Sequence, residues 1–226
     1  MLYGSSSWVE HKENRIVYTF DITQSMFSSG NGTEKVRVSR LASQASAQEV
    51  VVDLYAGVGY FTLPYLIHGR AKHVYACELN PHSVEALTRA ITRNKIEPGR
   101  CTVIHGDNRL PSVYRQFLRV ADRVNMGLLP SCEEGFPPAV EALSARGGVL
   151  HVHGTIADNK TIEAEWAEKC RLRIQSLLET RDGGCDANDS AWQVQHVLCA
   201  VRTCVLGIMD NFVSTVCRCA SFTWST

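Results

Sequence analysis

The sequence predicts an α/β fold built on a mostly parallel, twisted sheet, preceded by a short segment that contains β-structure. From residue 49 onward, short apolar runs typical of strands alternate with helical patterns, which is the order of βαβ units. The apolar runs are continuous, as in strands that are buried on both faces. Hydrophobic residues make up 45% and charged residues 20% of the 226-residue chain, a composition that predicts a packed globular core.

Residues 1–48 are the lead segment of this prediction. Ile16, Tyr18 and Phe20 alternate with Val17 and Thr19, and this period of two predicts a strand. A loop rich in Ser, Gly and Asn follows, because these residues favour turns. A short helix is then expected from about residue 33.

Residues 49–180 are predicted to form the ligand-binding catalytic domain. Its five strands are predicted at residues 49–55, 71–79, 100–106, 121–127 and 147–154. Asn80 and Pro81 have the residue types of a helix N-cap and of the first helical position. A longer helix after residue 159 has an apolar stripe formed by Ile162, Trp166, Cys170, Ile174 and Leu177.

Residues 181–226 are predicted to be a tail of uncertain structure, in which 194–201 can form a sixth strand and a seventh is doubtful. The tail has four cysteines, whose spacing is poor for structural zinc. They are Cys199, Cys204, Cys217 and Cys219. His151 and His153 share a strand face without a third ligand, which favours ordinary packing. No metal site is therefore predicted.

Composition and targeting signals exclude several classes of protein. No apolar run approaches the length that spans a bilayer, and the first residues lack the pattern of a secretory signal. The nine cysteines are an odd number without a disulfide-scaffold spacing, which favours a reduced, cytoplasmic protein. The net charge is zero, whereas a chain that held nucleic acid by phosphate neutralisation alone would be basic.

The first candidate site is the turn after the first predicted strand, in the segment "DLYAGVGYF". Gly57 and Gly59 allow the backbone to turn sharply and to approach a ligand closely. Asp53 can accept hydrogen bonds from a cationic amine or from N–H groups of the loop. The segment lacks the third glycine of a dinucleotide fingerprint, since Thr62 stands there. A plain strand-to-helix turn is the alternative.

Polar side chains also follow the second and third predicted strands. Glu78 lies about 25 residues after Asp53, where a carboxylate can bind both hydroxyls of a ribose. Asp107 and Asn108 can pair with the polar edge of a base. Glu78 alone is also explained by a helix N-terminus, and Gly-Asp-Asn alone by a turn. Together with the glycine turn, these residues predict a site for S-adenosyl-L-methionine.

The residues at the end of the fourth predicted strand are candidates for binding the acceptor, the molecule that receives the transferred group. Methyltransferases that act on amino groups often place Asn-Pro-Pro-aromatic here. This chain has Asn125, followed by Met-Gly-Leu-Leu before Pro130. The insertion predicts an acceptor pocket of a different shape.

Five segments, taken in order and with their spacing, resemble the tRNA wybutosine-synthesising aminocarboxypropyltransferases over about residues 1–180. They are "FSSGNGTEK", "DLYAGVGYFTLP", "ACELNPHSVEAL", "GDNR" and "DRVNMGLLPS". The resemblance implies a class I S-adenosylmethionine-dependent methyltransferase fold, which is Rossmann-like. It also implies transfer of the 3-amino-3-carboxypropyl group to a tricyclic guanosine 3′ of the anticodon of tRNA(Phe). The implied cofactor contacts are Ser28, Lys35, Glu78, Asp107 and Asn108.

Two alternatives to this activity stay open at the level of sequence. The related tRNA guanine-N1 methyltransferases share the fold and the acid positions but have a shorter Asn-Leu-Pro at the fourth strand. A non-catalytic isoform that binds the cofactor or a protein partner is the other alternative. It is suggested by an N-terminus that is expected to be truncated and by the unusual residues 181–226.

Few groups are predicted to contact the RNA, and no residue of the sequence stands out as a general base or as a sign of oligomeric state. With zero net charge, a weak hold on tRNA is expected. The candidate phosphate contacts are Lys12, Arg15, Lys35, Arg37 and Arg40.

Overall fold

The structure is a computed structural model, and the residues that it describes form two compact units. These units lie within residues 1–113 and 114–226. The described ranges are 6–44, 48–155, 159–181 and, for the backbone alone, 192–203 and 211–221.

An antiparallel hairpin opens the first unit. β1 (Trp8–Glu13) pairs with β2 (Ile16–Asp21) in continuous register. Asn14 and Arg15 connect the strands with φ of 48° and 62°. Two left-handed residues form the two-residue turn that matches the twist of a hairpin. The predicted strand at Ile16 is confirmed, and β1 is an addition to the prediction.

Three parallel strands follow in the first unit, in the spatial order β5-β4-β3. They are β3 (Val50–Asp53), β4 (His73–Glu78) and β5 (Cys101–His105). The helices of this part are α1 (Gly32–Ser43), α2 (Thr62–Ile67), α3 (Pro81–Arg93) and α4 (Pro111–Tyr114), of which the last ends at the first residue of the second unit.

The start and end of α3 show why this helix forms where it does. The Asn80 side chain accepts a hydrogen bond from the His82 N–H at 3.0 Å, and Pro81 occupies the first helical position, as predicted. At the other end, the Asn94 amide bonds to both the N–H and the C=O of Val17. The hairpin is thereby attached to the end of α3.

One apolar core unites the hairpin with the helices of the first unit. The inward face of β2 consists of Ile16, Tyr18 and Phe20, which are all buried. They pack in one cluster with residues of the helices and strands, including Val38, Val51, Leu63, Leu66, Val74 and Leu87. Full burial of each large apolar side chain stabilises the fold by about 1.5–3 kcal/mol.

The second unit contains a parallel pair of strands extended by an antiparallel pair, in the order β6-β7-β9-β8. The strands are β6 (Arg123–Met126), β7 (Gly148–Thr155), β8 (Trp192–Thr203) and β9 (Asn211–Ser221). The helices are α5 (Phe136–Ala142) and α6 (Lys160–Arg181), with 3-10 turns at Arg115–Phe117 and Glu133–Gly135.

The strand predictions for residues 49–154 and for 194–201 are confirmed, with ends that differ by up to two residues. β9 lies where a seventh strand was doubtful. The stripe of α6 runs through Ala167, Cys170, Ile174 and Leu178, and Ile162 is 42% exposed instead of buried. Within the described residues, no helix is both long and apolar enough to cross a membrane.

Candidate functional site

The glycine turn follows β3 and has the geometry that its sequence predicts. Gly57 and Gly59 have φ of +55° and +99°, which favour glycine. A Cβ on Gly57 would lie 2.8 Å from the Tyr60 ring, and one on Gly59 would lie 2.9 Å from the side chains of Leu63 and Leu87. Both glycines are therefore required by the conformation and packing of the turn.

Glu78, at the end of β4, is attached directly to this turn. Its Oε2 accepts a hydrogen bond from the Gly57 N–H at 2.7 Å, and its Oε1 accepts one from the Asn80 N–H at 2.8 Å. The side chain is half-buried, so it is still open to solvent on one side. A carboxylate has about four acceptor positions, and two remain here for the hydroxyls of a ligand.

Asp53 lies beneath the glycine turn and is fully buried. The Thr62 hydroxyl donates a hydrogen bond to its Oδ2 at 2.7 Å. This contact connects the end of β3 to the first residue of α2, across the turn. The geometry favours a bracing role for Asp53, and direct contact with a ligand stays a prediction.

Asn108 and Asp107 follow β5 and differ in their surroundings. The Asn108 Nδ2 donates to the Leu54 carbonyl at 2.6 Å, which joins the end of β5 to the residue after β3. Asp107 accepts from the backbone N–H and the guanidinium of Arg109, with the Arg109 Nη2 at 2.7 Å from Oδ2. The hydrogen bond from the Arg109 side chain holds the pKa of Asp107 below its usual value.

Ser28 and Lys35 approach the turn through Tyr60, the residue after Gly59. The Ser28 N–H donates to the Tyr60 hydroxyl at 3.2 Å, and that hydroxyl donates to the Met26 carbonyl. The Lys35 Nζ lies 5.5 Å from the centroid of the Tyr60 ring. The loop before α1 and the fourth residue of α1 therefore both contact the glycine turn.

Lys35 is 2% exposed, and four side chains that the sequence did not assign to the site surround its ammonium. We call these four residues the Lys35 cage: Glu13, Tyr18, Phe27 and Tyr60. The Glu13 Oε2 lies 2.7 Å from Nζ. The ring centroids of Tyr18 and Phe27 lie 5.0 and 4.9 Å from it. All three ring distances are within the range of cation–π attraction.

Burial lowers the pKa of Lys35 and the Glu13 carboxylate opposes this shift. Burial also raises the pKa of Tyr18 and of Tyr60, so both rings stay neutral. No sequence periodicity connects Glu13 to Lys35. The hairpin register places Glu13 opposite Ile16, and its contact with Lys35 joins β1 to α1, a long-range contact that no local sequence signal specifies.

Asn125 and Pro130, the acceptor-side candidates, lie in the second unit in different surroundings. Asn125 is fully buried in β6, opposite His151 in the register with β7. Pro130 is exposed in the following loop, and its carbonyl accepts a hydrogen bond from the Thr155 N–H at 2.9 Å. Their role in binding an acceptor stays a prediction.

The histidine pair of β7 packs against β6. The Arg123 Nη1 donates to the His151 Nε2 at 2.6 Å, and the His153 Nδ1 lies 3.0 Å from the Met126 carbonyl. In the described part of the chain, no group of three or more His, Cys, Asp and Glu residues could hold a metal ion. The cysteine cluster of residues 199–219 falls outside the described side chains.

All eight candidate cofactor residues therefore lie in the first unit, and six of them end or follow β3, β4 and β5: Asp53, Gly57, Gly59, Glu78, Asp107 and Asn108. Direct hydrogen bonds join Glu78 to Gly57, and Asn108 and Asp53 attach to residues that flank the turn. Ser28 and Lys35 reach it through Tyr60. Carboxyl ends of parallel strands are where open α/β sheets bind ligands.

The TRM5/TYW2 methyltransferase domain family has a model that matches residues 9–175. The chain belongs to this family. The family resemblance drawn from the motifs is thereby confirmed, and so is the α/β fold of the methyltransferase type.

Three relatives illustrate the similarity. A tRNA wybutosine-synthesizing protein 2/3/4 of Arabidopsis thaliana is 48% identical over 199 residues, which are 87% of this chain and 18% of the relative. A tRNA wybutosine-synthesizing protein 2 homolog of Danio rerio is 49% identical over 189 residues, 79% of this chain and 44% of the relative. The crystal structure of M. jannaschii TYW2 in complex with AdoMet has a TM-score of 0.76 at 29% identity. The matched region covers 98% of this chain and 90% of the M. jannaschii chain.

The chain thus spans less than half the length of these two curated relatives.

Proposed function

We propose that this chain transfers the 3-amino-3-carboxypropyl group of S-adenosyl-L-methionine to the tricyclic modified guanosine 3′ of the anticodon of tRNA(Phe), in wybutosine biosynthesis. Methylthioadenosine is the second product. The observation that carries the proposal is the Glu78 carboxylate, attached to a glycine turn in a chain of this family. Support comes from the similarity to tRNA wybutosine-synthesizing proteins and to M. jannaschii TYW2, whose structure contains AdoMet.

The hydrogen-bonding groups around the turn fit this cofactor. Glu78 has acceptor positions for both ribose hydroxyls. The Asn108 side chain retains an oxygen and one N–H for the edge of the adenine, beside Asp107. Lys35 is a cation for the carboxylate of the amino-acid end. The proposed cofactor set is Ser28, Lys35, Asp53, Gly57, Gly59, Glu78, Asp107 and Asn108, with Asn125 and Pro130 on the acceptor side.

The chemistry then depends on orientation. S-adenosylmethionine supplies a sulfonium with three activated carbons, and this reaction uses the carbon that begins the amino-acid chain. The acceptor's electron pair forms the new bond, the electron pair of the broken C–S bond returns to sulfur, and the acceptor gives up a proton. The residues around the turn fix which carbon faces the acceptor, and a fixed attack geometry lowers the barrier.

A product analysis tests the proposal. The chain is incubated with tRNA(Phe) from cells that lack this step and with S-adenosylmethionine labelled in the aminocarboxypropyl carbons. We expect label in the RNA and methylthioadenosine in equal amount. Label that stays out of the RNA, with cofactor binding intact, would contradict the proposed activity, and cofactor that is also left unconsumed would favour a non-catalytic chain.

Guanine-N1 methylation of tRNA is the second candidate, because the matching family model covers TRM5 together with TYW2. The same incubation separates the two. Methylation would leave the label in S-adenosylhomocysteine and put an unlabelled methyl group on the RNA, since the leaving nucleoside then keeps the aminocarboxypropyl chain.

Domain division and location are also part of the proposal. We divide the chain into a lead segment (1–48), a catalytic domain (49–180) and a tail (181–226). Cytoplasmic location is supported by the cysteines, because all four whose side chains are described are free thiols. They are Cys77, Cys101, Cys132 and Cys170.

A further inference from the structure

Lys35 occupies a position in α1 that would usually be apolar. Charged side chains are almost never fully buried unless they are paired, because the loss of water costs several kcal/mol. Lys35 is 2% exposed and lies in the same layer as Val38 and Ala42, which face the core of the first unit. An alanine or leucine would satisfy that packing without the cost, so the fold alone does not explain the ammonium.

The cage stabilises the positive charge of Lys35 but does not accept hydrogen bonds from all of its N–H donors. An ammonium has three N–H donors. Among the described residues, Glu13 supplies the one hydrogen-bond acceptor of Nζ. The rings of Tyr18, Phe27 and Tyr60 stabilise the charge without accepting strong hydrogen bonds. Two donors therefore remain for an anionic group.

The cage is also part of the glycine turn. Tyr60 follows Gly59 directly, and its ring lies against Gly57, where a Cβ would come within 2.8 Å of it. Phe27 stacks on Phe20 and touches Tyr60, with ring centroids 5.1 and 5.6 Å apart. The Tyr60 ring therefore connects Lys35 to the glycine turn.

We propose that Glu13 is a positioning residue for the cofactor: it holds the Lys35 ammonium charged within the cage, with two donors directed at the carboxylate of the cofactor's amino-acid end. This inference rests on the proposed function, since it assumes that S-adenosylmethionine is bound at the turn. That carboxylate belongs to the group that is transferred, so the Lys35 cage holds the migrating part of the cofactor rather than the leaving nucleoside.

The groups that face Lys35 determine how its charge responds to pH. They are Glu13 with its neighbour His11 on β1, Tyr18 on β2 and Tyr60 of the glycine turn. Burial lowers the pKa of Lys35 and Glu13 raises it. Removal of the Glu13 charge therefore lowers the pKa of Lys35 further. The ammonium is then lost, and binding of the carboxylate weakens, at a lower pH than in the wild type.

Glu13→Gln tests the inference through binding, with ligands that differ at the amino-acid end. S-adenosylhomocysteine has the carboxylate and 5′-methylthioadenosine lacks it. At pH 8 we expect Glu13→Gln to weaken S-adenosylhomocysteine at least about tenfold in calorimetry, as for one lost hydrogen bond to a charged group. Methylthioadenosine should bind as to the wild type. The matched control is Glu10→Gln on the same strand, whose carboxylate pairs with Arg93 and not with Lys35.

A pH series provides the readout that a purely structural role would not change. The affinity for S-adenosylhomocysteine should fall with rising pH, and the fall should begin at a lower pH in Glu13→Gln than in the wild type or in Glu10→Gln. Titration of the ligand's own amino group is common to all three proteins and cancels in the comparison. Glu13→Asp, which keeps the charge, should restore the pH dependence in part.

The outcomes separate this inference from the proposed function. If the wild type binds both ligands and Glu13→Gln matches Glu10→Gln at every pH, or weakens both ligands equally, the positioning role is wrong and the proposed function stands. If the wild type binds neither ligand, both the positioning role and the proposed function are wrong. Should Glu13→Gln fail to fold, Phe27→Leu removes one ring and keeps the ion pair. It should then shift the pH dependence in the same direction, and no shift would overturn the inference.

Discussion

Glu78 combines two tasks in one side chain, because the oxygens that hold the Gly57 and Asn80 N–H groups also have acceptor positions open to a ligand. A carboxylate already fixed by two backbone donors loses little conformational entropy when a diol binds. The turn and the proposed ligand contact therefore depend on the same residue.

Glu78→Ala should weaken S-adenosylmethionine tenfold or more. Each hydrogen bond to a charged acceptor contributes about 1.5–3 kcal/mol, and both ribose hydroxyls lose their partner. Methylthioadenosine has the same ribose and should weaken equally, unlike the selective effect expected at Glu13. Calorimetry measures both constants, with Glu85→Ala as the control, since the Glu85 carboxylate lies exposed on α3 and pairs with Arg89. Unchanged dissociation constants would refute the ribose assignment.

Sequence reasoning predicted residue types at this site better than residue surroundings. Glu78 and Asn108 follow apolar strands, and strand ends can be located from the pattern alone. Asp53 follows the same pattern, yet its partner is the Thr62 hydroxyl, because the turn brings the start of α2 back beneath it. The Lys35 cage joins residues 13, 18, 27, 35 and 60, and such non-local contacts leave no periodic signal in the sequence.

At the scale of elements, the glycine turn connects β3 to α2 by a backbone path that side chains obstruct. Gly59 shows two separate reasons for this: its φ of +99° is strained for other residues, and its missing Cβ leaves room for Leu63 and Leu87. Gly99 has a similar φ of +83° but nothing within 4 Å of its Cβ position. Alanine substitutions at Gly59 and Gly99 can therefore separate the cost of backbone strain from the cost of packing.

Gly59→Ala should destabilise the protein more than Gly99→Ala. Left-handed backbone costs an alanine roughly 1–2 kcal/mol, which is the whole expected effect at Gly99. At Gly59 the new methyl also meets two buried leucines, which adds roughly 1–3 kcal/mol for overpacking. Urea unfolding measures both free energies. Equal losses would show that Leu63 and Leu87 move aside freely.

Local elements were predictable and long-range pairing was not. Strands β3 to β7 are short apolar runs between turn residues, so each could be placed from its own segment. β1 reads "WVEHKE", with polar residues on its exposed side, and it becomes a strand by pairing with β2. β9 likewise lies between β7 and β8, an order that no local pattern specifies.

At the scale of the whole molecule, 23 basic and 23 acidic residues cancel, so any contact with RNA must come from local groups of cations. Two of the five predicted phosphate contacts already have an acidic partner in the structure. Lys35 is buried against Glu13, and Arg37 is paired with Glu34 at 2.6 Å. Lys12, Arg15 and Arg40 are exposed and remain candidates.

Three exposed cations of the first unit have left-handed backbone, and we call them the hairpin-tip cations: Arg15, Arg70 and Lys95, with φ of 62°, 53° and 56°. Two contacts bring their segments to the hairpin turn. The His68 Nε2 lies 2.7 Å from the Asn14 carbonyl, and Asn94 bonds to the backbone of Val17. Glycine would adopt these conformations with less strain, so each cation can be removed without weakening the fold.

Replacement of the three hairpin-tip cations by glycine should weaken tRNA binding and leave stability unchanged or slightly higher. Each phosphate contact that is lost should lower the slope of log affinity against log salt by about one unit. Fluorescence titrations of tRNA at several salt concentrations measure the slope, and thermal unfolding checks the fold. Asn14→Gly is the matched control, because it relieves the same strain at the same turn without loss of charge. If the triple variant keeps both the affinity and the slope of the wild type, these cations do not contact RNA. The phosphate contacts must then come from other exposed cations, of which Lys12 and Arg40 are the first to test.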